Sequence, residues 1–346
     1  MAPSRPGPPT AGRRINATRI AVLGAGSWGT ALAALFARTG HAVVLWGRDG
    51  AVLEQIARER RNRRYLPDTE LPEGLEVTAD LAAAVASADD VLVAVPSLAF
   101  RGVLEALKTS PPRRLAWATK GFEQGSGLLP HQVAAEVFPG DLPRAVLSGP
   151  TFAREVAIGL PSAMTIASTD MAYARQLAES ISTDTFRAYI SSDIVGVEVG
   201  GATKNVYAIA AGLSDGLGYG ANTRIALVTR GLAEMTRLGL ALGARAQTFM
   251  GLAGIGDLVL TCTDDQSRNR RFGLALARGE RVEAALASIG QVVEGYYGAR
   301  AVRAVAAKLG VEMPIVEQLH RVLYEGADPR AAVVALMRRP IATEGS

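Results

Sequence analysis

One lysine stands out by the company it keeps. Over residues 194–213 the apolar residues Val195, Val199, Ala202, Val206, Ile209 and Leu213 step by threes and fours, the spacing of a buried helical stripe. Lys204 falls roughly 200° around that helix from Val206, and its neighbours one and two turns away are Gly200, Gly201, Ala208, Ala211 and Gly212. An amine on such a small-residue face can exchange a proton with a ligand lying against the backbone, at about 1 kcal/mol in helix propensity for each interior glycine. The other reading of the same face is a close helix–helix contact with a snorkelling lysine at its edge. The helix alone does not choose between them.

Other positions carry complementary groups. Pro96-Ser97, Lys120-Gly121 and Gly149-Pro150-Thr151 each follow a predicted strand, at the carboxyl edge where open α/β sheets bind ligands. Lys120 is there as a substrate contact or simply as a solvated loop cation. Asp257 closes the glycine-rich run Gly251–Gly256, placed to orient a lysine, to accept from a substrate hydroxyl or to cap the next helix. Ser267-Arg268-Asn269-Arg270-Arg271 opens a predicted helix with Ser267 as N-cap. Cations at a helix N-terminus oppose the macrodipole, so these arginines make better sense with a bound anion. A phosphate would be held by the free backbone N–H groups, Arg268 and the Asn269 amide.

The elements that must position these groups begin with a short apolar strand, Arg19–Leu23, followed at once by Gly24-Ala25-Gly26-Ser27-Trp28-Gly29 and a helix over Thr30–Arg38. This is the setting of a dinucleotide-binding turn. The first glycine makes the tight turn, the second lets the backbone approach pyrophosphate and the third allows close helix–strand packing. The next strand, Ala42–Trp46, ends in Gly47-Arg48-Asp49: Arg48 suits a 2′-phosphate and favours NADP(H), while Asp49 leaves NAD(H) open. Further strands are predicted at Asp90–Val95, Arg114–Thr119, Arg144–Ser148, Ala163–Ala167 and Thr185–Tyr189. Their alternation with helices predicts a doubly wound, mostly parallel Rossmann-type sheet. After residue 193 only helical patterns follow, at roughly 194–213, 222–241, 268–278, 295–309, 313–324 and 328–338. The expected organisation is a tail over 1–17, an NAD(P)-binding domain over 18–193 and a helical substrate domain over 194–340.

Composition narrows the function classes. The 346 residues are 49 % hydrophobic and 20 % charged, which is globular, and no apolar run reaches membrane-spanning length. Arg5, Arg13 and Arg14 in the tail account for three of the four net positive charges, so the rest of the chain offers no basic surface for nucleic acid. The tail, with Pro3, Pro6, Pro8 and Pro9, is expected to be disordered and has no apolar core for a signal peptide, which points to the cytoplasm. The cluster Arg58–Arg64 contains Glu59 and reads as a solvated face. One cysteine, Cys262, and three scattered histidines predict neither a disulfide framework nor a metal site.

Taken together, the blocks GAGSWGTALA, WGRD, VPS, ATKGFE, SGPTFAREV, GVEVGGATKNVYAIAAG, FMGLAGIGDLVLTC, SRNRRFG and QVVEGYYGA, in this order from about residue 18 to 338, resemble the bacterial-type NAD(P)-dependent glycerol-3-phosphate dehydrogenases. The resemblance implies reduction of dihydroxyacetone phosphate to sn-glycerol 3-phosphate, the head-group precursor of glycerophospholipids. It implies that Lys204 is the acid/base and that Lys120, Gly149, Thr151, Asn205, Asp257, Ser267, Arg268 and Asn269 meet substrate. Cofactor positions carried over are Ser27, Trp28, Arg48, Lys120, Ala153, Arg268, Val292 and Glu294, beside Gly24, Gly26 and Gly29 of the turn. Thr203 stands where a leucine is expected before the lysine, and the tail lies outside the family pattern. Asp49 is the less suitable cofactor contact, since a carboxylate repels a 2′-phosphate. The resemblance leaves a homodimer open. Two rival readings remain: another two-domain β-hydroxyacid dehydrogenase with a carboxylate substrate, and an NAD(P)H-binding redox sensor without turnover.

Overall fold

The computed structural model describes residues 17–338, so the tail expected over 1–17 lies outside the described residues except for Ala17, as do residues 339 and 340 of the expected second domain. The first half alternates β1 (Arg19–Leu23), α1 (Ser27–Arg38), β2 (Ala42–Trp46), α2 (Gly50–Glu59), β3 (Leu75–Thr78), α3 (Leu81–Val85), β4 (Asp90–Val93) and α4 (Ser97–Ala106). It continues through β5 (Leu115–Trp117), α5 (Pro130–Val137), β6 (Arg144–Ser148), α6 (Ala153–Ala157), β7 (Ser162–Ala167), α7 (Met171–Ile181) and β8 (Phe186–Ser191). The strands form one sheet in the order β3-β2-β1-β4-β5-β6-β7-β8. Only β6 and β7 pair antiparallel.

Side-chain alternation explains why the sheet is buried on both faces. Ile20, Val22, Val43, Leu45, Leu92, Ala116 and Leu147 enter one apolar cluster. Their chain neighbours Ala21, Leu23, Val44, Trp46, Val91, Trp117 and Val146 enter another on the opposite face. The strand order reverses between β1 and β4, which makes the crevice beyond their carboxyl ends the topological switch point. Gly24 turns the chain there with φ of +126°, and a Cβ on it would sit 2.7 Å from the Ala94 carbonyl oxygen, so the turn requires glycine twice over.

The second half is helical: α8 (Ile194–Gly216), α9 (Ala221–Ala241), α10 (Ala246–Phe249), α11 (Asp257–Thr263), α12 (Arg268–Ala277), α13 (Val282–Ile289), α14 (Glu294–Leu309), α15 (Pro314–Tyr324) and α16 (Pro329–Met337). A π-helical turn, Leu252–Gly256, leads into α11. No helix among the described residues is long and apolar enough to cross a membrane. The third apolar cluster surrounds α8 with Met235, Leu238, Phe249, Leu258, Phe272 and Val302.

Four elements differ from the sequence-based expectation. β3, α10, α11 and α13 had no prediction, because each is short or is masked by glycine and proline punctuation. The larger correction concerns α8. It is buried on every side, and two of its glycines, Gly200 and Gly212, receive protein backbone rather than open space. A Cβ on Gly200 would lie 2.2 Å from the Ala253 carbonyl oxygen, and one on Gly212 2.0 Å from that of Arg270. From α14, a Cβ on Gly295 would lie 2.3 Å from the Asn205 carbonyl oxygen. The small face is therefore a set of backbone-close helix contacts, and a ligand reaches only the part of it around Lys204.

Candidate active site

Lys204 occupies the middle of α8, with its side chain 9 % exposed. Its Nζ donates to Asp257 Oδ1 and, at 3.1 Å, to Thr261 Oγ1. Lys120, just beyond β5, reaches the other oxygen of the same carboxylate at 2.8 Å. Asp257 is the first residue of α11, and Thr261 lies one turn later on the same face. Thr261 Oγ1 in turn donates to the Asp257 carbonyl oxygen at 2.6 Å.

Two ammonium groups and one buried carboxylate make an unequal electrostatic set. Burial pushes the Lys204 amine down to about 8, against the pull of Asp257 and with help from the charge of Lys120. Burial alone would raise the Asp257 acid, but Lys120 and Lys204 together hold it below the usual carboxylate range. The outcome is a lysine that carries a proton at neutral pH and can release it only slightly above neutrality.

Beside this trio lies a polar chain. Asn205 Nδ2 donates to Glu294 Oε2 at 3.2 Å, and Asn269 Nδ2 donates to Asn205 Oδ1 at 3.0 Å. Asn269 Oδ1 accepts from the Gly295 backbone N–H at 2.8 Å, locking α12 to α14. Burial raises the Glu294 acid although Arg268, Lys120 and Lys204 pull it the other way. Ser267 caps α12 by accepting from the Arg270 N–H at 3.2 Å, while Arg268 donates to Gln291 Oε1 at 2.9 Å. The N–H groups of Arg268 and Asn269 have no carbonyl four residues back within their helix. Arg270 does not join them as an anion contact. Its guanidinium is committed to Asp215 and Asp265, so of the expected arginine cluster Arg268 and Arg271 border the cleft.

All of this borders one cleft of ≈ 910 Å³ that runs from the glycine turn to Lys204. Gly24, Gly26, Ser27, Trp28 and Arg48 line one end, and Lys120, Thr151, Ala153, Lys204 and Asn205 line the middle. Ser267, Arg268, Asn269, Val292 and Glu294 line the far wall. Three expected site residues do not line it. Gly29 packs on the Gly24 carbonyl and Gly149 on Met164, so both serve chain packing, and Asp257 lies beneath the lysines. Asp49 is a capping residue, accepting from the Val52 N–H at 3.3 Å and pairing with Arg64 at 3.0 Å. The other basic residues of that segment are also engaged, Arg58 and Arg63 by Glu59 and Arg61 by Glu70.

The sequence reading missed Thr261, whose signal was its place one turn after Asp257. It also missed Arg64, Tyr65, Gln266, Gln291 and Tyr297 along the cleft, which carry no local pattern.

The glycine-turn end fits a dinucleotide. A Cβ on Gly26 would meet nothing within 4 Å, and α1 starts with no side chain capping its N–H groups. The indole Nε1 of Trp28, at the same end, is buried without a partner. Free helix N–H groups facing open space are what a pyrophosphate requires.

Comparison with known proteins agrees in both halves of the chain. Residues 19–174 match the family model for the NAD-dependent glycerol-3-phosphate dehydrogenase N-terminus, and residues 193–334 match that for its C-terminus. The glycerol-3-phosphate dehydrogenase [NAD(P)+] of Thioalkalivibrio sulfidiphilus is 58 % identical over 322 residues, covering 92 % of this chain and 97 % of that one. The enzyme of the same name from Pseudoalteromonas translucida is 54 % identical over 323 residues, covering 92 % and 96 %. The crystal structure of glycerol-3-phosphate dehydrogenase from Coxiella burnetii superposes with a TM-score of 0.90 at 47 % identity, covering 93 % of this chain and 99 % of that one.

Proposed function

The chain belongs to the NAD-dependent glycerol-3-phosphate dehydrogenase family, and on that premise we propose that it reduces dihydroxyacetone phosphate reversibly to sn-glycerol 3-phosphate with NADPH or NADH. The product would supply glycerophospholipid synthesis in the cytoplasm. Residues 18–193 would hold the cofactor and residues 194–340 the substrate.

The observation that carries the reading is the proton at the floor of the cleft: Lys204, buried, shared with Asp257 and held to about 8. When bound, the nicotinamide supplies the hydride. Lys204 donates its proton to the ketone oxygen as negative charge develops there, and in the reverse direction the neutral amine takes the hydroxyl proton. A pKa near the working pH suits both directions. Asp257 aims Lys204 and keeps it from losing its proton too early, while Lys120 and Asn205 stabilise the developing oxyanion. Thr261 holds the amine from the far side.

Ser267, Arg268, Asn269 and the first N–H groups of α12 bind the phosphate, with Thr151 at the opposite wall. This contact is remote from the reacting carbon, so its binding energy can be used to position the ketone. Arg48 would hold the 2′-phosphate of NADPH, and Ser27, Trp28, Ala153, Val292 and Glu294 would line the rest of the cofactor. The test is oxidation of NADPH and NADH measured with dihydroxyacetone phosphate and with unphosphorylated dihydroxyacetone. Turnover of the phosphorylated ketone at far higher kcat/KM supports the proposal. Turnover of a hydroxy-carboxylate with none of glycerol 3-phosphate overturns it.

A further inference from the structure

Glu198 lies on α8 six residues before Lys204, its side chain 1 % exposed, and the proposed reaction makes no use of it. A carboxyl so deeply buried is tolerated only with partners that satisfy both oxygens. Oε1 accepts from the indole Nε1 of Trp117 at 2.8 Å and from the backbone N–H of His131 at 2.9 Å, while Oε2 meets His131 Nδ1. Trp117 is the last residue of β5 and is fully buried, and His131 is in the first turn of α5. One carboxyl therefore joins β5, α5 and α8.

A second contact ties the same strand end to the same helix. Gly201, one turn beyond Glu198, faces the stem of Lys120: a Cβ there would lie 3.3 Å from its Cγ and 3.4 Å from its Cδ. Lys120 crosses α8 at Gly201 before its Nζ reaches Asp257. The approach of Lys120 to the Lys204–Asp257 pair thus depends on where the end of β5 is held against α8.

We propose that Glu198 is a positioning residue for the lysine pair: by binding Trp117 and His131 it fixes the end of β5 against α8 and sets how closely Lys120 approaches Lys204. The inference rests on the reading of Lys204 as the acid/base. The charged and titratable groups bearing on Lys204 are Asp257 and Cys262 from α11, Glu294 from α14 and Lys120 from beyond β5. Of these, Lys120 alone is carried by the strand that Glu198 holds. Loosening the clamp therefore withdraws a like charge from Lys204 and lets its pKa rise.

The chain has four lysines, Lys108, Lys120, Lys204 and Lys308, so its lysine 13Cε NMR signals can be assigned one by one with Lys→Arg variants. In Trp117→Phe and Glu198→Leu the titration of Lys204 should move up by at least about half a pH unit, with kcat down at least about fivefold and the Kd for NADPH within about twofold of wild type. Glu198→Gln keeps an acceptor for the indole and the backbone N–H, and should recover most of both losses. An unchanged Lys204 titration in folded Trp117→Phe overturns the proposal, and that variant decides the matter even where Glu198→Leu does not fold. The titration needs no turnover, so a wild-type protein inactive on dihydroxyacetone phosphate would sink the functional reading and leave the clamp to be judged by the spectra.

Discussion

Two carboxylates stand at the start of a helix, Asp49 on the rim of the cleft and Asp257 beneath its floor, each bound to basic side chains, yet they behave as different devices. Asp257 is 1 % exposed between Lys120 and Lys204, which are 13 % and 9 % exposed. Asp49 is 51 % exposed and pairs with Arg64 at 56 %. Water screens the second pair, so it contributes about 0–1 kcal/mol and can open when a ligand arrives. Around Asp257 burial weakens the screening of two cations against one anion, and the protein answers by shifting proton affinities. Burial converts the same ion-pair chemistry from an adjustable rim into a tuned proton donor.

Breaking the buried end should give the largest effects. Lys204→Ala removes the proton donor and should cut kcat by at least about two orders of magnitude while leaving NADPH affinity near normal. Steady-state kinetics beside a binding titration would show it, and near-wild-type turnover would refute the role.

Asp257→Asn leaves two ammonium groups without their counterion, which should cost roughly 3–5 kcal/mol of folding stability. It should also lower the Lys204 pKa further, moving the alkaline limb of dihydroxyacetone phosphate reduction to lower pH. In the wild-type protein that limb should fall through about 8, where Lys204 loses its proton. Stability runs the other way. Between about 8 and the ordinary lysine value the unfolded chain binds more protons at this position than the folded one, so this residue's contribution to stability rises with pH over that window. Denaturant melts and kcat profiles over the same pH range would separate the two trends.

The phosphate wall is intermediate, because it is partly open and built of several weak contributors. Arg268→Ala should lower kcat/KM for dihydroxyacetone phosphate by at least about tenfold, roughly 1.4 kcal/mol, and lower it less for unphosphorylated dihydroxyacetone. Equal proportional losses would assign Arg268 to the cofactor or to structure. At the exposed end, Arg48→Ala should weaken NADPH by about threefold to tenfold and NADH little, a small effect because solvent already screens the contact. Equal losses for both cofactors would show that Arg48 does not read the 2′-phosphate.

These contrasts also mark what the sequence can convey. The glycine turn between β1 and α1, the Ser267 cap and the isolated Lys204 were legible because each is a local pattern with a local cause. The lysine trio was half legible: Asp257 was a candidate to orient a lysine, but nothing in the sequence says that Lys120 shares its carboxylate across 137 residues. Arg270 looked like an anion contact for the same reason, since Asp215, which neutralises it, lies 55 residues away. On α8 the residue types were read correctly and their purpose only in part. Glycine makes room for a ligand and for a neighbouring backbone alike, and only the fold decides which arrives. β3 escaped because four residues between proline, glycine and a turn leave too little periodicity to register.

The glycines around Lys204 bear on how the molecule responds to heat. Where α8 meets the turn before α11, and where it meets α12 and α14, main chain rests on main chain. A side-chain layer between helices absorbs thermal expansion by changing rotamers, one residue at a time. At these three points no side chain intervenes, so the backbone contacts flanking the lysine loosen only when the helices move apart. The rate of the reaction should then follow an uninterrupted Arrhenius line up to the melting transition and fail there abruptly, with no preceding range of temperature in which a folded protein has already lost its site.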